Sequence, residues 1–169
     1  MDRQRDYCSN DNNYIRTGIR IYLQPIKEKM SGFNATKTST YEFLSTDKDV
    51  KVNFDSVQFD TNGYFSTSTD VATVQEAGIY TVTVGVQIDQ NFNTSDVNGE
   101  VNVKLNAANY NLFTQVVNYN SNDMITISAT YIAELNVGDK LWVMFDPPSN
   151  VTQHKIIILP GSWFGMVKH

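Results

Sequence analysis

One cysteine in 169 residues, Cys8, excludes an intrachain disulfide, so the chain does not belong among small secreted scaffolds stapled by cystines. The thiol reads either as incidental in a polar end or as half of a bridge between copies. Histidine is nearly as scarce. His154 and His169 with a single cysteine cannot make a zinc site of ordinary composition within one chain. His154 follows a polar loop and reads as a surface residue, and His169 is the terminal residue, a poor candidate for a rigidly held acid or base. Glycine-rich phosphate loops and nucleophile elbows are missing too. Carboxylates are plentiful in loops, so a catalytic pair among them stays an open alternative; with the other constellations scarce, the expected class is non-enzymatic, with no catalytic residue.

Positive charge is short as well: 13 Lys and Arg stand against 18 Asp and Glu, a formal net charge of -5, and the basic residues are scattered. A phosphate backbone needs a concentrated basic surface, so no nucleic-acid partner is expected. No apolar run approaches the roughly 20 residues that span a bilayer, so no membrane insertion is expected either. The first residues, MDRQRDYCSNDNN, are too polar for a signal peptide, and export of the chain as given by that route is not expected. A fragment of a longer exported protein, or a surface protein assembled inside a cell and released with a particle or spore, would fit the same facts.

Sustained helical periodicity is also lacking. What is present is alternation of period two, clearest from Tyr80 to Ile88, where Tyr80, Val82, Val84, Val86 and Ile88 are interleaved with Thr81, Thr83, Gly85 and Gln87. One face of that strand is apolar and the other small or polar. From Phe33 onward short β-rich runs are separated by turn clusters, the pattern of a sandwich or jelly roll. The expected strands are Phe33 to Thr38, Val50 to Phe54, Tyr64 to Thr67, the Tyr80 strand, Val101 to Leu105, Leu112 to Asn118, Ile125 to Leu135, Lys140 to Phe145, Lys155 to Leu159 and Trp163 to Val167. Asn62-Gly63, Asn98-Gly99 and Gly138-Asp139 are expected in tight turns, and Pro147-Pro148 as a stop.

Two regions follow. Residues 1–30 are expected as an N-terminal arm, disordered over its first 13 or so residues, with a strand over 14–25 and a hinge ending at Ser31-Gly32; residues 31–169 are expected as the main domain. In LWVMF and SWFGMV large apolar side chains alternate to both sides, so both faces of those strands should be covered. For the last strand the second cover is another subunit, the arm, or an exposed binding patch.

The order of motifs resembles the globular head of complement component 1q and, more distantly, the tumour necrosis factor superfamily. The resemblance rests on Phe33-Asn34-Ala35, Val52-Asn53-Phe54, the run from Tyr64-Phe65 to Gly78-Ile79-Tyr80, Val101-Asn102-Val103-Lys104-Leu105, Leu135-Asn136-Val137-Gly138-Asp139-Lys140-Leu141-Trp142, and Trp163-Phe164-Gly165, and covers residues 31–169. It departs in a longer insert between Phe65 and Gly78, in Val82 where the family has an aromatic, and in having no collagen-like repeat. The resemblance implies an all-β, ten-stranded jelly-roll sandwich that assembles as a compact homotrimer with its inner sheet on the threefold axis. On that basis Thr81, Thr83, Gly85, Thr126, Ser128, Thr130 and Trp163 are candidates for the trimer interface; the alternative for the small polar residues is that they face water. Within Ile125 to Leu135, the other face, Ile127, Ala129, Tyr131, Ala133 and Leu135, is then expected in the core.

Candidate ligand-binding residues lie in the Asn-rich loops: Asn91, Phe92 and Asn93, Tyr119, Asn120 and Asn122, and Asn150 and Gln153, against the alternative of solvated connections. A calcium ion is a candidate cofactor at Asp89, Asp96 and Asn98, because oxygen ligands alternate there, and some members of the resembled family bind calcium near the trimer apex; a plain Asn-Gly hairpin is the competing reading. Asn34-Ala35-Thr36, Asn93-Thr94-Ser95 and Asn150-Val151-Thr152 fit the N-glycosylation pattern. The expected function is a trimeric recognition or attachment head on the surface of a virion, phage or spore, with a host glycan or protein as partner. The alternatives are a structural capsid or trimerisation module docked by its N-terminal arm, and a secreted cytokine-like ligand.

Overall fold

The computed structural model describes residues 30–44, 46–90, 97–119, 124–147 and 155–169. The expected arm over 1–30, its strand over 14–25 and Cys8 therefore lie almost wholly outside the described residues, as does His154. Among the described residues every regular element is a strand. In chain order they are β1 (Gly32–Thr36), β2 (Tyr41–Leu44), β3 (Val50–Lys51), β4 (Ser56–Asp60), β5 (Phe65–Ser66), β6 (Val71–Thr73) and β7 (Gly78–Gln90), followed by β8 (Val97–Leu105), β9 (Ala107–Tyr119), β10 (Ile125–Leu135), β11 (Lys140–Asp146), β12 (Lys155–Ile158) and β13 (Trp163–Lys168).

Two antiparallel sheets pack face to face. In the first, β10 lines one edge of β7, and the other edge of β7 carries β13 at Tyr80 to Gly85 and β12 at Ile88 to Gln90. β13 leads on to β1 and β4, and β12 to β2. The second sheet runs β5, β6, β11, β8, β9, with β3 also on β11. The expected jelly roll is what the chain forms. Thirteen strand segments stand where ten are expected, the additional ones being β2, β4 and β6. These short runs carry polar or charged residues among their few apolar ones, and long-range pairing with β12, β1 and β11 rather than local pattern makes them strands.

Alternation places the core. Tyr80, Val82, Val84, Val86 and Ile88 are all buried to 1% exposure or less, which at about 1.5–3 kcal/mol each makes β7 the main apolar contributor to the first sheet. Phe33, Phe54, Phe65 and Phe164 meet beneath it: Phe33 stacks on Phe65 at 5.1 Å between centroids and meets Phe164 edge-on at 5.2 Å, with Phe54 5.9 Å from Phe164. Of the β10 face expected in the core, Ile127, Ala133 and Leu135 are buried and Ala129 is half-buried. Tyr131 is 44% exposed and stacks on Phe113 of β9, because β10 and β9 are the matching outer edges of the two sheets and no described residue closes the sandwich beyond them.

One expected turn is not a turn. Asn98 and Gly99 lie within β8, opposite Asn118 and Val117 of β9. The β8–β9 hairpin instead reverses at Asn106, which takes φ 59°, a left-handed conformation that asparagine tolerates without being followed by glycine. Gly63 and Gly138 do adopt positive φ, 72° and 89°, at the other two expected turns. The Gly63 turn is fixed by Asp60, whose carboxylate accepts the amides of Tyr64 at 2.8 Å, Phe65 at 2.9 Å and Asn62 at 3.3 Å.

Candidate functional site

With alternate residues of β7 committed to the core, the others must point outward, and the pairing registers line them up with their neighbours. Thr81 lies between Ile132 and Val167, Thr83 between Thr130 and Gly165, and Gly85 between Ser128 and Trp163. The rows continue across β1, from Gly165 to Asn34 and from Trp163 to Thr36, and Asn34 is in turn opposite Phe59 of β4. All seven residues singled out as interface candidates, Thr81, Thr83, Gly85, Thr126, Ser128, Thr130 and Trp163, thus share one outward sheet face. The sequence could place each on a strand but could not bring β13 between β7 and β1.

That face has relief. Small residues lie across its centre, and a groove of about 210 Å³ runs beside them, lined by Asn34, Phe59, Thr83, Trp163, Gly165 and Val167. Trp163 lies flat over Gly85: a methyl group built on Gly85 would sit 2.2 Å from the indole, so only glycine admits this packing. Gly165 floors the groove, and a Cβ there would press on the Phe33 carbonyl at 3.2 Å and the Thr83 hydroxyl at 3.3 Å. Beside Thr81 the relief is inverted, with Ile132 of β10 64% exposed and Ile79 of β7 53% exposed. Neither isoleucine was singled out from sequence; the signal was there, an isoleucine among the polar residues of one face. The His169 ring is held at this face by the Thr81 hydroxyl, 2.6 Å from Nε2, and its amide by the Ile79 carbonyl at 2.9 Å.

The remaining candidates separate. Asn91, Phe92, Asn93, Asn120, Asn122, Asn150 and Gln153 lie outside the described residues, and Tyr119 is described only as the last residue of β9. Asp96 is outside too. Asn98 is in β8 of the second sheet and Asp89 near the end of β7 in the first. The alternating oxygen ligands expected in a turn therefore belong to a paired strand from residue 97 onward. Asn34, in one glycosylation triplet, sits mid-sheet between β4 and β13, where strand pairing occupies both flanks of its backbone.

Polar groups concentrate at two places in the interior. Near the domain's start Tyr80 donates to the Glu76 carbonyl at 2.5 Å, its phenol oxygen lies 3.2 Å from that of Tyr64, and Tyr64 is 2.7 Å from the Ser31 hydroxyl. Burial, together with Tyr64, pushes the Tyr80 phenol well above its usual range. At the opposite end of β1, Lys37 is buried to 2% exposure, and Nζ donates to Asn53 Oδ1 at 2.6 Å and lies 5.7 Å from the centre of the Tyr41 ring. Burial pulls the Lys37 amine down against the opposing charges of Asp55 and Asp70. Asp70, at φ 52°, accepts the Phe54 amide at 2.9 Å, and burial pushes its carboxyl up. Asp55 behaves oppositely: burial works against its charge, but the hydroxyls and amides of Ser39 and Thr38 all donate to it and hold it well below the usual carboxylate range.

No family model matches the sequence, and no curated protein matches it. The likeness is in the fold. The globular domain of zebrafish complement 1qA superposes with a TM-score of 0.61 at 15% identity, over 83% of this chain and 97% of that one. Murine APRIL gives 0.60 at 17% identity, covering 83% and 100%, and the Eiger TNF of S. frugiperda gives 0.57 at 13%, covering 83% and 92%. The chain has the complement 1q/tumour necrosis factor-like jelly-roll fold.

Proposed function

We propose that the protein is a non-enzymatic, homotrimeric recognition head that a virion, phage or spore displays on its surface to bind a host glycan or protein. The observation that carries this reading is the outward face of the first sheet. It combines a small-residue centre, an apolar groove running from β7 across β13 and β1 to β4, and projecting isoleucines on β10 and at the start of β7. The groove, which Thr81 also lines, and the projection at Ile132, paired with Thr81, are different surfaces side by side on one face, and heterologous contacts close into rings of identical copies when the rotation permits. Exposed apolar relief of this kind marks an interaction surface, and the small central residues let backbones approach. Recognition falls to the loops at the sandwich ends, which a trimer would present in threefold copy and so strengthen by avidity.

Sedimentation and native mass measurement test the assembly: a trimer at micromolar concentration is the expected result, and a stable monomer overturns it. A glycan and cell-surface binding screen of the full chain, with and without calcium, tests recognition. Binding lost on loop substitution but kept on substitution of the β9 surface supports the head. A trimer that binds nothing, and fails to enter particles once residues 1–30 are removed, moves the reading to a structural module docked by its arm.

A further inference from the structure

The apolar groove on the first sheet lies where the chain enters the domain. It crosses four strands along one row, Thr83 of β7, Gly165 of β13, Asn34 of β1 and Phe59 of β4, and it opens at β4, the last strand on that side of the sheet among the described residues. Gly165 forms the floor. Trp163 and Val167, two residues to either side along β13, form the walls. Val167 is opposite Gly32, the first residue of β1, and the Lys168 amide donates to the Ser31 carbonyl at 2.8 Å. Met30, the residue before them, is 58% exposed. The 29 residues that precede Met30 are therefore tethered at the Val167 wall.

That segment carries what such a groove takes. From Tyr14 to Leu23 the odd positions are Ile15, Thr17, Ile19, Ile21 and Leu23, and the even ones Tyr14, Arg16, Gly18, Arg20 and Tyr22, so an extended chain has one apolar face. Three strand spacings make the groove about 14 Å long, and Ile19, Ile21 and Leu23 of an extended chain span about 13 Å. The nine steps from Leu23 to Gly32 reach up to about 30 Å, enough to lay the segment along the groove. Charge favours the same contact. All four arginines, Arg3, Arg5, Arg16 and Arg20, lie in the first 20 residues; residues 1–30 hold six basic against four acidic residues, a formal +2, and residues 31–169 seven against fourteen, a formal -7. A segment tethered at its own groove meets it at an effective concentration on the order of mM, so modest complementarity fills the site.

We propose that residues 15–23 lie extended in this groove of their own chain, with Ile19, Ile21 and Leu23 packed among Phe59, Trp163 and Val167 and with Arg16 and Arg20 on the outer side. The arm of the same chain is the occupant because its tether ends at the groove wall. Seated there, it supplies the second cover that the large apolar residues of β13 call for. The proposal does not rest on assembly. A neighbouring copy meets the seated arm in place of the bare groove, and the small centre with Ile79 and Ile132 stays open to it.

Hydrogen exchange of the native full chain, read peptide by peptide, tests the seat. Amides of residues 15–23 are expected to exchange at least about tenfold more slowly than those of residues 1–13, and equal rates overturn the proposal. Val167→Glu puts a charge in the groove wall and should abolish that protection, whereas Val116→Glu on the exposed side of β9 should leave it; protection that survives Val167→Glu overturns the seat. The β7 amides report in the same experiment whether the domain is folded. Should Val167→Glu not fold, the arm itself is changed: in a Trp142→Phe chain Trp163 is the only tryptophan, and Ile21→Asp should shift its emission to the red. Unchanged emission overturns the proposal. Protection should also persist on dilution; protection lost with dilution gives the groove to a neighbour's arm and overturns the intramolecular seat. A monomer with a protected arm refutes the trimer alone.

Discussion

Phe164→Ala is the sharpest perturbation of the core. Phe164 is fully buried, on β13, and meets Phe33 of β1 at 5.2 Å, Phe54 at 5.9 Å and Phe65 of β5 at 6.2 Å, so it joins the two sheets and the segment that crosses between them. Truncation removes the transfer free energy of the ring and the edge-to-face contacts, and the partners, being aromatic and committed to their own strands, cannot collapse into the space. The expected loss is about 3–5 kcal/mol, about a fifth or more of the roughly 5–15 kcal/mol stability of an ordinary domain. In urea, at a slope of about 2 kcal/mol/M, a loss of about 4 kcal/mol lowers the midpoint by about 2 M with the slope unchanged. Protein concentration must be held fixed, since assembly would add to the apparent stability. Phe113→Ala is the control: that ring is half-buried at the sandwich edge on Tyr131, and its loss should cost about half as much or less. A midpoint shift under about 0.5 M for Phe164→Ala, or equal shifts for both variants, would refute the placement of the core at these four rings.

Gly85→Val should drive the Trp163 indole off the sheet, costing about 1–3 kcal/mol by overpacking and shifting the tryptophan emission, and it should weaken assembly if that face is the interface. Ile132→Glu should dissociate the assembly with little change in monomer stability, whereas Val116→Glu, on the exposed side of β9, should leave the native mass unchanged; equal effects would place the interface elsewhere. Asp60→Ala strips the acceptor from three amides of the Gly63 turn and should cost about 1–3 kcal/mol by urea unfolding. Asp55 titrates lower folded than unfolded, so its stabilisation is present above the unfolded value of about 4 and is lost as pH falls further. Asp55→Ala should therefore flatten the acid limb of stability against pH, and an unchanged limb would mean that the four donors do not hold the carboxylate in solution.

Along the chain, legibility followed locality. β10 has the bounds expected from its alternation, and β7 its inward and outward faces, because side-chain direction in a strand is set by neighbours two residues away. β2, β4 and β6 escaped notice because four-, five- and three-residue runs become strands only when a distant partner supplies the ladder. Asn98-Gly99 misled for the converse reason: a strong turn signal was overruled by nine residues of pairing with β9, and the reversal moved to Asn106.

By itself, the sequence determined the all-β sandwich class of the fold and the outward small face of β7, both of which follow from period-two alternation. Only the tertiary structure decided that β13 lies between β7 and β1, so that Trp163 covers Gly85 and a groove forms beside it, and that Lys37 ends its strand against Asn53. Those contacts join residues 16 to 135 positions apart, and no local pattern carries the register that brings them together.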